Sequence, residues 1–190
     1  VKQSRVTTKV VNTSYPDVTN AWLKSFDESL TPYCGAGNIN HLIPRIKLAC
    51  KKLYGYNDLT RLDVELVCSH FTNTYVSKEG DPKNNGYILK INGKVLSKEE
   101  CLKVFKECNL PMNSDTVRNL MIATDCFMLV RGLLLKERIK MHIPGVKGSL
   151  GGQRYEIKDG DIFRDSIFGN ATDKNKEGLK GDCIEDVIQG

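Results

Sequence analysis

The stretch from Thr116 to about Ile139 constrains the fold more than any other part of the sequence. Its middle places apolar residues on most sides of a helix, among them Leu120, Phe127 and Val130. A helix that is apolar around most of its circumference has to lie in a core or against a second subunit. We therefore predict a long buried helix, and the second of these options predicts a homodimer.

In the rest of the sequence, segments whose apolar residues have the spacing of a helix alternate with segments that have the spacing of a strand. Because residues 142–152 hold four glycines and a proline, and residues 78–86 hold Gly, Asp, Pro and two Asn, both segments are predicted to be loops. Helices are predicted over residues 17–26, 39–53 and 97–108, and strands over residues 6–12, 62–68, 87–91, 94–96, 153–157 and 162–163. This order predicts an α/β fold of the mixed α+β kind, with a mixed sheet.

Composition bounds the class of protein. The 190 residues fit one domain, and 28 basic against 23 acidic residues give a net charge of +5. The basic residues are spread along the chain, so we predict no nucleic-acid partner. No run approaches the roughly 18 apolar residues of a membrane span, so no membrane partner is predicted either.

Cysteine usage indicates the compartment. The seven cysteines are odd in number, form no Cys-x-x-Cys pair, and mostly lie among apolar residues. Free buried thiols are typical of a reducing environment, so we predict a cytoplasmic protein. The three histidines, His41, His70 and His142, are far apart in sequence and predict no metal site.

Two glycines precede the second predicted helix. Gly35 and Gly37 would let the backbone approach a ligand closely, and the free amides of the helix start after Asn38 would attract an anion. The alternative is a helix start capped by Asn38 that binds nothing.

His70 directly follows the apolar strand 62–68, with Ser69 and Asn73 beside it. Ligands of α/β sheets collect beyond the carboxyl ends of strands, and histidine exchanges protons near neutral pH. His70 is therefore the candidate catalytic acid or base, and Ser69 and Asn73 are candidate substrate ligands. A hydrogen-bonded structural histidine is the alternative.

Two further segments could contact a ligand. The glycine-rich loop begins at His142 and leads to Arg154, whose guanidinium suits a carboxylate or phosphate. At the other end of the chain, residues 12–17 form a turn after the opening strand, for which turn chemistry alone is a sufficient explanation.

Taken in order, the segments VVNTSYPDVTNAWL, TPYCGAGNINHLIPRI, a strand ending in SH, and HIPGVKGSLGGQRY resemble the second half of a Rossmann-type NAD(P)-dependent dehydrogenase. In such proteins a strand leaves the nucleotide-binding domain, an Asn and a Pro-Asp turn follow, and a substrate-binding and dimerising α/β domain completes the cleft. The phosphate-binding glycine fingerprint of the family is not in this sequence.

The resemblance implies a single α/β domain over residues 1–190 that lacks an upstream nucleotide-binding domain, with residues 1–17 as the last strand and turn of that domain. The chain opens at Val1 without an initiator Met or a signal-peptide pattern, and VTTKVVNTSYPD is typical of one extended strand that ends in a loop, so we also expect a fragment that lacks its N-terminal part. NAD or NADP would be bound mainly by the missing domain.

Site roles follow from the same resemblance. His70 would transfer the proton, while a small polar substrate that bears a carboxylate would meet Ser69, Asn73, His142 and Arg154. The cofactor would be bordered by Asn12, Tyr15, Pro16, Asp17, Gly35, Gly37 and Asn38. The alternative function is a non-enzymatic module that binds an anionic ligand or another protein.

Overall fold

The computed structural model describes residues 8–37, 39–109 and 116–164, with the backbone alone for residues 116–118. The helices are α1 (Pro16–Phe26), α2 (Ile39–Tyr54), α3 (His70–Glu79), α4 (Lys98–Lys106) and α5 (Thr116–Leu134). The strands are β1 (Val11–Asn12), β2 (Cys34–Gly35), β3 (Val64–Cys68), β4 (Tyr87–Ile91), β5 (Lys94–Val95), β6 (Ile139–Pro144), β7 (Gly152–Lys158) and β8 (Asp161–Arg164). The prediction of a mixed α/β fold is confirmed.

Most strands belong to one sheet of order β5-β4-β3-β7-β6, with β8 paired to β7. Every pairing in this sheet is antiparallel. Parallel pairing occurs, among the described strands, in the two-residue ladder of β1 with β2, where Asn12 lies opposite Gly35. This ladder fixes where the opening segment meets the turn before α2.

Two local motifs form as the sequence predicts. Asn92 and Gly93 both have positive φ, 47° and 83°, as the two-residue turn between β4 and β5 requires. The capping box is complete, because the Glu100 N–H donates to Ser97 Oγ at 3.2 Å and the Ser97 N–H donates to Glu100 Oε2 at 2.8 Å.

Several boundaries differ from the prediction. Among the described residues, the opening strand predicted at 6–12 forms only over Val11–Asn12. Residues 70–79 are helical, because Ser69 Oγ accepts the Thr72 N–H at 3.1 Å and starts α3 directly after β3. The long helix ends at Leu134 rather than near Ile139, and Lys136 follows it with a φ of 59°. Residues 139–144, assigned to the helix end and the loop, form strand β6, since its alternate residues enter an apolar core.

The described residues form two apolar cores. The first core lies between α2, α3, α4 and strands β3 and β4, and the second lies between β2, α5 and strands β6–β8. In the second core Leu129 is fully buried, and a Cβ on Gly132 would lie 2.7 Å from Ile157 Cγ2. Burial of the long helix is thus confirmed for one face, while its other face is exposed. None of the helices in the described part has the length and apolar character to cross a membrane.

Candidate active site

Helix α1 has its polar side inside. Asp17 and Asn20 are 2 % and 0 % exposed, whereas Trp22 and Phe26 are 66 % and 78 % exposed. The apolar residues of this helix therefore do not form its core face. Burying a charge or an amide group costs free energy unless the group is paired. The partners of Asp17 and Asn20 are therefore the contacts that determine how α1 packs.

Asn20 ties α1 to two other segments. Asn12 Nδ2, at the end of β1, donates to Asn20 Oδ1 at 2.9 Å, and Asn20 Nδ2 donates to the Gly145 carbonyl at 2.9 Å. A Cβ on Gly145 would lie 2.7 Å from Asn20 Nδ2, so only glycine allows this approach. The network fixes the depth at which the first turn of α1 enters the domain.

The start of α1 is held as closely. Tyr15 adopts the left-handed conformation (φ 45°, ψ 57°) and Pro16 takes the first helical position. A Cβ on Gly35 would lie 2.0 Å from Pro16 Cβ, so the space at Gly35 is filled by the chain itself. Pro16 is buried while Tyr15 is 69 % exposed. These contacts direct the Asp17 side chain inward.

Asp17 meets His70, and this pair is the candidate active site. His70 Nδ1 lies 2.7 Å from Asp17 Oδ2, with side chains 14 % and 2 % exposed. His70 is the first residue of α3, at the carboxyl end of β3, and the Phe71 ring lies edge-on to its imidazole at 5.7 Å. Two residues 53 positions apart in sequence thus form a buried carboxylate–imidazole pair.

The pair has a defined chemical capability. With Nδ1 donating its proton to the carboxylate, the ring is held in one tautomer and Nε2 is the atom that can accept or give a proton. The carboxylate also stabilises the imidazolium that forms when Nε2 takes a proton. This is the arrangement of a general acid or base.

Cys68 and Asn73 flank this pair. Burial, and then the nearby Asp17 carboxylate, raise the pKa of the Cys68 thiol, so it stays protonated and is a poor nucleophile. Asn73 is 9 % exposed, and its Oδ1 has no hydrogen-bond partner in the described part of the chain. Ser69 is buried and its hydroxyl caps α3. Both predicted substrate ligands therefore lie on the first turns of the helix that carries His70.

The predicted glycine turn is brought near this site only in part. Gly35 packs on Pro16, while Gly37 (φ 95°) faces α5 and His41, with Ile122 Cγ1 at 3.4 Å and His41 Nε2 at 3.9 Å from an added Cβ. Asn38 lies outside the described residues. These residues therefore do not form an open cradle for a dinucleotide by themselves.

His142 and Arg154 lie elsewhere, between strands β3 and β7. These strands share one pair, Cys68 with Gly152, and beyond it the Leu66 N–H donates to His142 Nε2 at 3.0 Å. Arg154 forms ion pairs with Asp63 at 2.7 Å and Glu65 at 3.1 Å, so it links β7 to β3, whereas His142 links β6 to β3.

Glu65 has a second cation. Lys90 Nζ, on β4, lies 3.0 Å from Glu65 Oε1, and the Glu65 side chain is 4 % exposed. We call Asp63, Glu65, Lys90 and Arg154 the strand cluster. In the part of the chain that the structure describes, each charged side chain of the strand cluster forms an ion pair with at least one side chain of opposite charge.

Another carboxylate was not anticipated from the sequence. Asp125, on α5, is a hydrogen-bond partner of Asn40, and burial raises its pKa from 3.8 to about 6. Its Oδ2 has no hydrogen-bond partner among the described residues. Sequence reasoning also missed Asn20, although its spacing of three residues from Asp17 places both on one helix face.

Among the described residues, no three His, Cys, Asp or Glu side chains are grouped so that they could hold a metal ion. The chain matches no protein-family model, no curated protein and no solved structure. The function therefore has to be argued from the Asp17–His70 geometry.

Proposed function

We propose that this chain is the substrate-binding and acid–base part of an NAD(P)-dependent oxidoreductase that acts on a small polar molecule bearing a carboxylate. The observation that carries the proposal is the 2.7 Å contact of His70 Nδ1 with the buried Asp17 carboxylate. The dinucleotide is assigned mainly to a domain outside this chain, since Gly35 and Gly37 offer no open cradle. This chain's own residues handle the proton.

His70 acts at the substrate oxygen. When an alcohol is oxidised to a carbonyl, its hydride would pass to the oxidised nicotinamide held mainly outside this chain, while Nε2 accepts the hydroxyl proton and the ring becomes an imidazolium whose charge Asp17 stabilises. In the reverse direction Nε2 returns the proton to the oxygen. Asp17 acts by orienting the ring and by stabilising its positive charge.

The proposed substrate contacts come from two parts of the fold. Ser69 and Asn73 lie on the same helix as His70 and are the nearer candidates. His142 and Arg154 stay in the proposal as the family resemblance implies, although a substrate carboxylate would compete with Asp63 and Glu65 for the Arg154 guanidinium.

The proposal also covers compartment and assembly. All six cysteines of the described segments are free thiols, which supports a reducing cytoplasm. The exposed apolar face of α5 supports a homodimer.

The test is turnover with and without the imidazole. The gene product at its natural length is assayed by NADH and NADPH absorbance against a panel of small 2-oxo acids and aldehydes. The variant His70→Ala should lower kcat/KM by about 100-fold to 10,000-fold. Asp17→Asn, which keeps the shape of the side chain, should lose activity in the same direction.

Tyr75→Phe is the matched control, since Tyr75 is an exposed residue of α3. It should leave kcat/KM unchanged. A loss below tenfold in folded His70→Ala would remove His70 from the mechanism. No binding of either dinucleotide at micromolar protein would reject the oxidoreductase class.

The second candidate function is a non-enzymatic module that binds another protein or an anionic ligand. The exposed apolar face of α5 is the observation that favours it. It predicts association without turnover, and therefore no effect of His70→Ala in a binding assay.

A further inference from the structure

The outer face of α5 carries an uninterrupted apolar stripe. Its members recur at spacings of three, four, three and four residues, and all are exposed. They are Leu120 (64 %), Ala123, Phe127 (59 %), Val130 (47 %) and Leu134 (73 %). We call these five residues the α5 seam.

This spacing specifies the shape of the partner. A repeat of three and four residues places side chains in one line along a helix, where they insert between the side chains of a second helix at a shallow crossing angle. The inner face of the same helix is already occupied, since Leu129 and Gly132 pack into the second core. The α5 seam is thus suited to one more helix.

We propose that the α5 seam of one copy packs antiparallel against the α5 seam of a second copy of this chain, about a two-fold axis at Phe127. The inference deepens the homodimer of the proposed function, and it depends on neither the reaction nor the cofactor.

The order of residues in the seam supports self-association. Leu120 and Leu134 lie seven residues on either side of Phe127, and Ala123 and Val130 lie four and three residues from it. An antiparallel pair therefore sets leucine against leucine at both ends and the small Ala123 against Val130. A two-fold interface requires such self-complementarity. A parallel pair would instead set Ala123 against Ala123, leaving a gap, and would align the helix dipoles unfavourably.

Charge does not oppose this contact. The seam itself holds no ionisable residue. The neighbouring Arg131 is neutralised within its own chain, because its Nε donates to Glu137 Oε1 at 3.0 Å and its guanidinium lies 5.5 Å from the centre of the Phe127 ring. Two copies can therefore approach without bringing unpaired like charges together.

The size of the seam sets the expected strength. From Leu120 to Leu134 the seam extends about 21 Å along the helix, at about 1.5 Å per residue. A strip of that length and one helix wide is smaller than the roughly 800 Å² per partner of a standard interface. The dimer should therefore be reversible, forming over the micromolar range of protein concentration.

Sedimentation velocity of the full 190-residue chain over that range tests the contact. The unmodified chain should shift from monomer to dimer as its concentration rises. Phe127→Glu should weaken dimerisation by about 30-fold or more, since it buries two carboxylates at the axis. The helix should persist, because a glutamate four residues before Arg131 is a favourable pair.

Leu102→Glu is the matched control, since Leu102 is an apolar residue of α4 that is 39 % exposed and lies outside the seam. It should leave the dimerisation constant unchanged. A chain that stays monomeric throughout, or an equal effect of the two substitutions, would overturn the proposal. Turnover that depends on His70 in a monomeric protein would leave the proposed reaction standing while the seam fails.

Disulfide trapping tests the direction of the helices. In a background with Cys126→Ser and Cys183→Ser, a mixture of Leu120→Cys and Leu134→Cys chains should cross-link under mild oxidation. Leu120→Cys chains alone should not. Cross-linking of Leu120→Cys with itself, and none in the mixture, would contradict the antiparallel arrangement.

Discussion

Two groups of buried charge in this domain are built differently. In the strand cluster, Glu65 has cations on both sides, Lys90 and Arg154, and Arg154 in turn contacts two carboxylates. At the candidate active site, the buried Asp17 carboxylate is paired through Nδ1 with the His70 imidazole, a side chain that is charged only when it is protonated. One group joins strands, and the other holds a group that can change its protonation state.

The difference shows how a structural charge is distinguished from a functional one. The strand cluster pairs its carboxylates with a lysine and an arginine, and the basic side chains of these residue types are not used as acid–base groups near neutral pH unless they are strongly perturbed. Histidine changes charge between about pH 5 and 8. The hydrogen bonds of Asn20 with Asn12 and Gly145 hold the polar face of α1 inside the domain, and Asp17 lies on that face. The apolar residues Trp22 and Phe26 of the same helix are exposed. Burial of the polar face is explained if the site exchanges protons.

The largest effect should come from filling the space at Gly35. In Gly35→Ala the new Cβ would lie 2.0 Å from Pro16 Cβ and 3.0 Å from the Pro144 carbonyl oxygen. Because both atoms belong to well-packed segments, we expect a loss of about 3 kcal/mol in the free energy of unfolding, measured in urea. The same shift should displace Asp17 from His70.

Gly55→Ala is the control for this prediction. Gly55 has a φ of 71° but nothing within 4 Å of an added Cβ. It should cost about 1 kcal/mol from backbone strain alone. Equal losses in the two variants would show that Pro16 is not tightly held.

Removing a cation from the strand cluster should have the next largest effect. Arg154→Ala leaves the buried Glu65 with Lys90 as its remaining cation. Discounting for the half-exposed Asp63, we expect a loss of about 2 kcal/mol in the free energy of unfolding. If Arg154 instead anchors a substrate, the variant would raise KM and leave the urea midpoint in place.

The smallest effect concerns Asp125, whose Oδ2 has no hydrogen-bond partner among the described residues. Its pKa is raised by burial from 3.8 to about 6, so the fold favours the protonated carboxyl. The cost of ionisation is absent below pH 3.8, grows between pH 3.8 and about 6, and is complete above that.

Asp125→Asn should therefore stabilise the protein near neutral pH by about 1 kcal/mol, after discounting for solvent screening. The gain should vanish near about pH 4. Thermal unfolding of the two proteins at both pH values measures it. A gain that is the same at both would mean that ionisation of Asp125 is not its cause.

Local signals in the sequence predicted much of the fold. The Asn92-Gly93 turn and the Ser97–Glu100 capping box depend on neighbouring residues, and both form as predicted. Strand β6 was missed, although Ile139, Met141 and Ile143 alternate in the manner of a strand, because the preceding helix was extended through them. Helix α3 was missed because its residues show no clear apolar stripe, and the Ser69 cap is the signal that could have found it.

The site was predicted residue by residue but not as a pair. His70 was singled out for its place after β3, and Asp17 for its place in a turn, yet nothing local links residues 53 positions apart. The polarity of α1 was also hidden, since Trp22 and Phe26 suggest the opposite buried face. Which face is inside depends on Asn12, Gly35 and Gly145, which come from three other segments.

The ring tautomer of His70 tests the Asp17–His70 pairing most directly. Long-range proton–nitrogen NMR of the folded chain, at a pH where the ring is neutral, distinguishes a proton on Nδ1 from one on Nε2. We expect the proton on Nδ1, donated to Asp17, and a mixture of tautomers in Asp17→Asn. A proton on Nε2, or the same spectrum in both proteins, would contradict the assignment of His70 as an acid–base group oriented by Asp17.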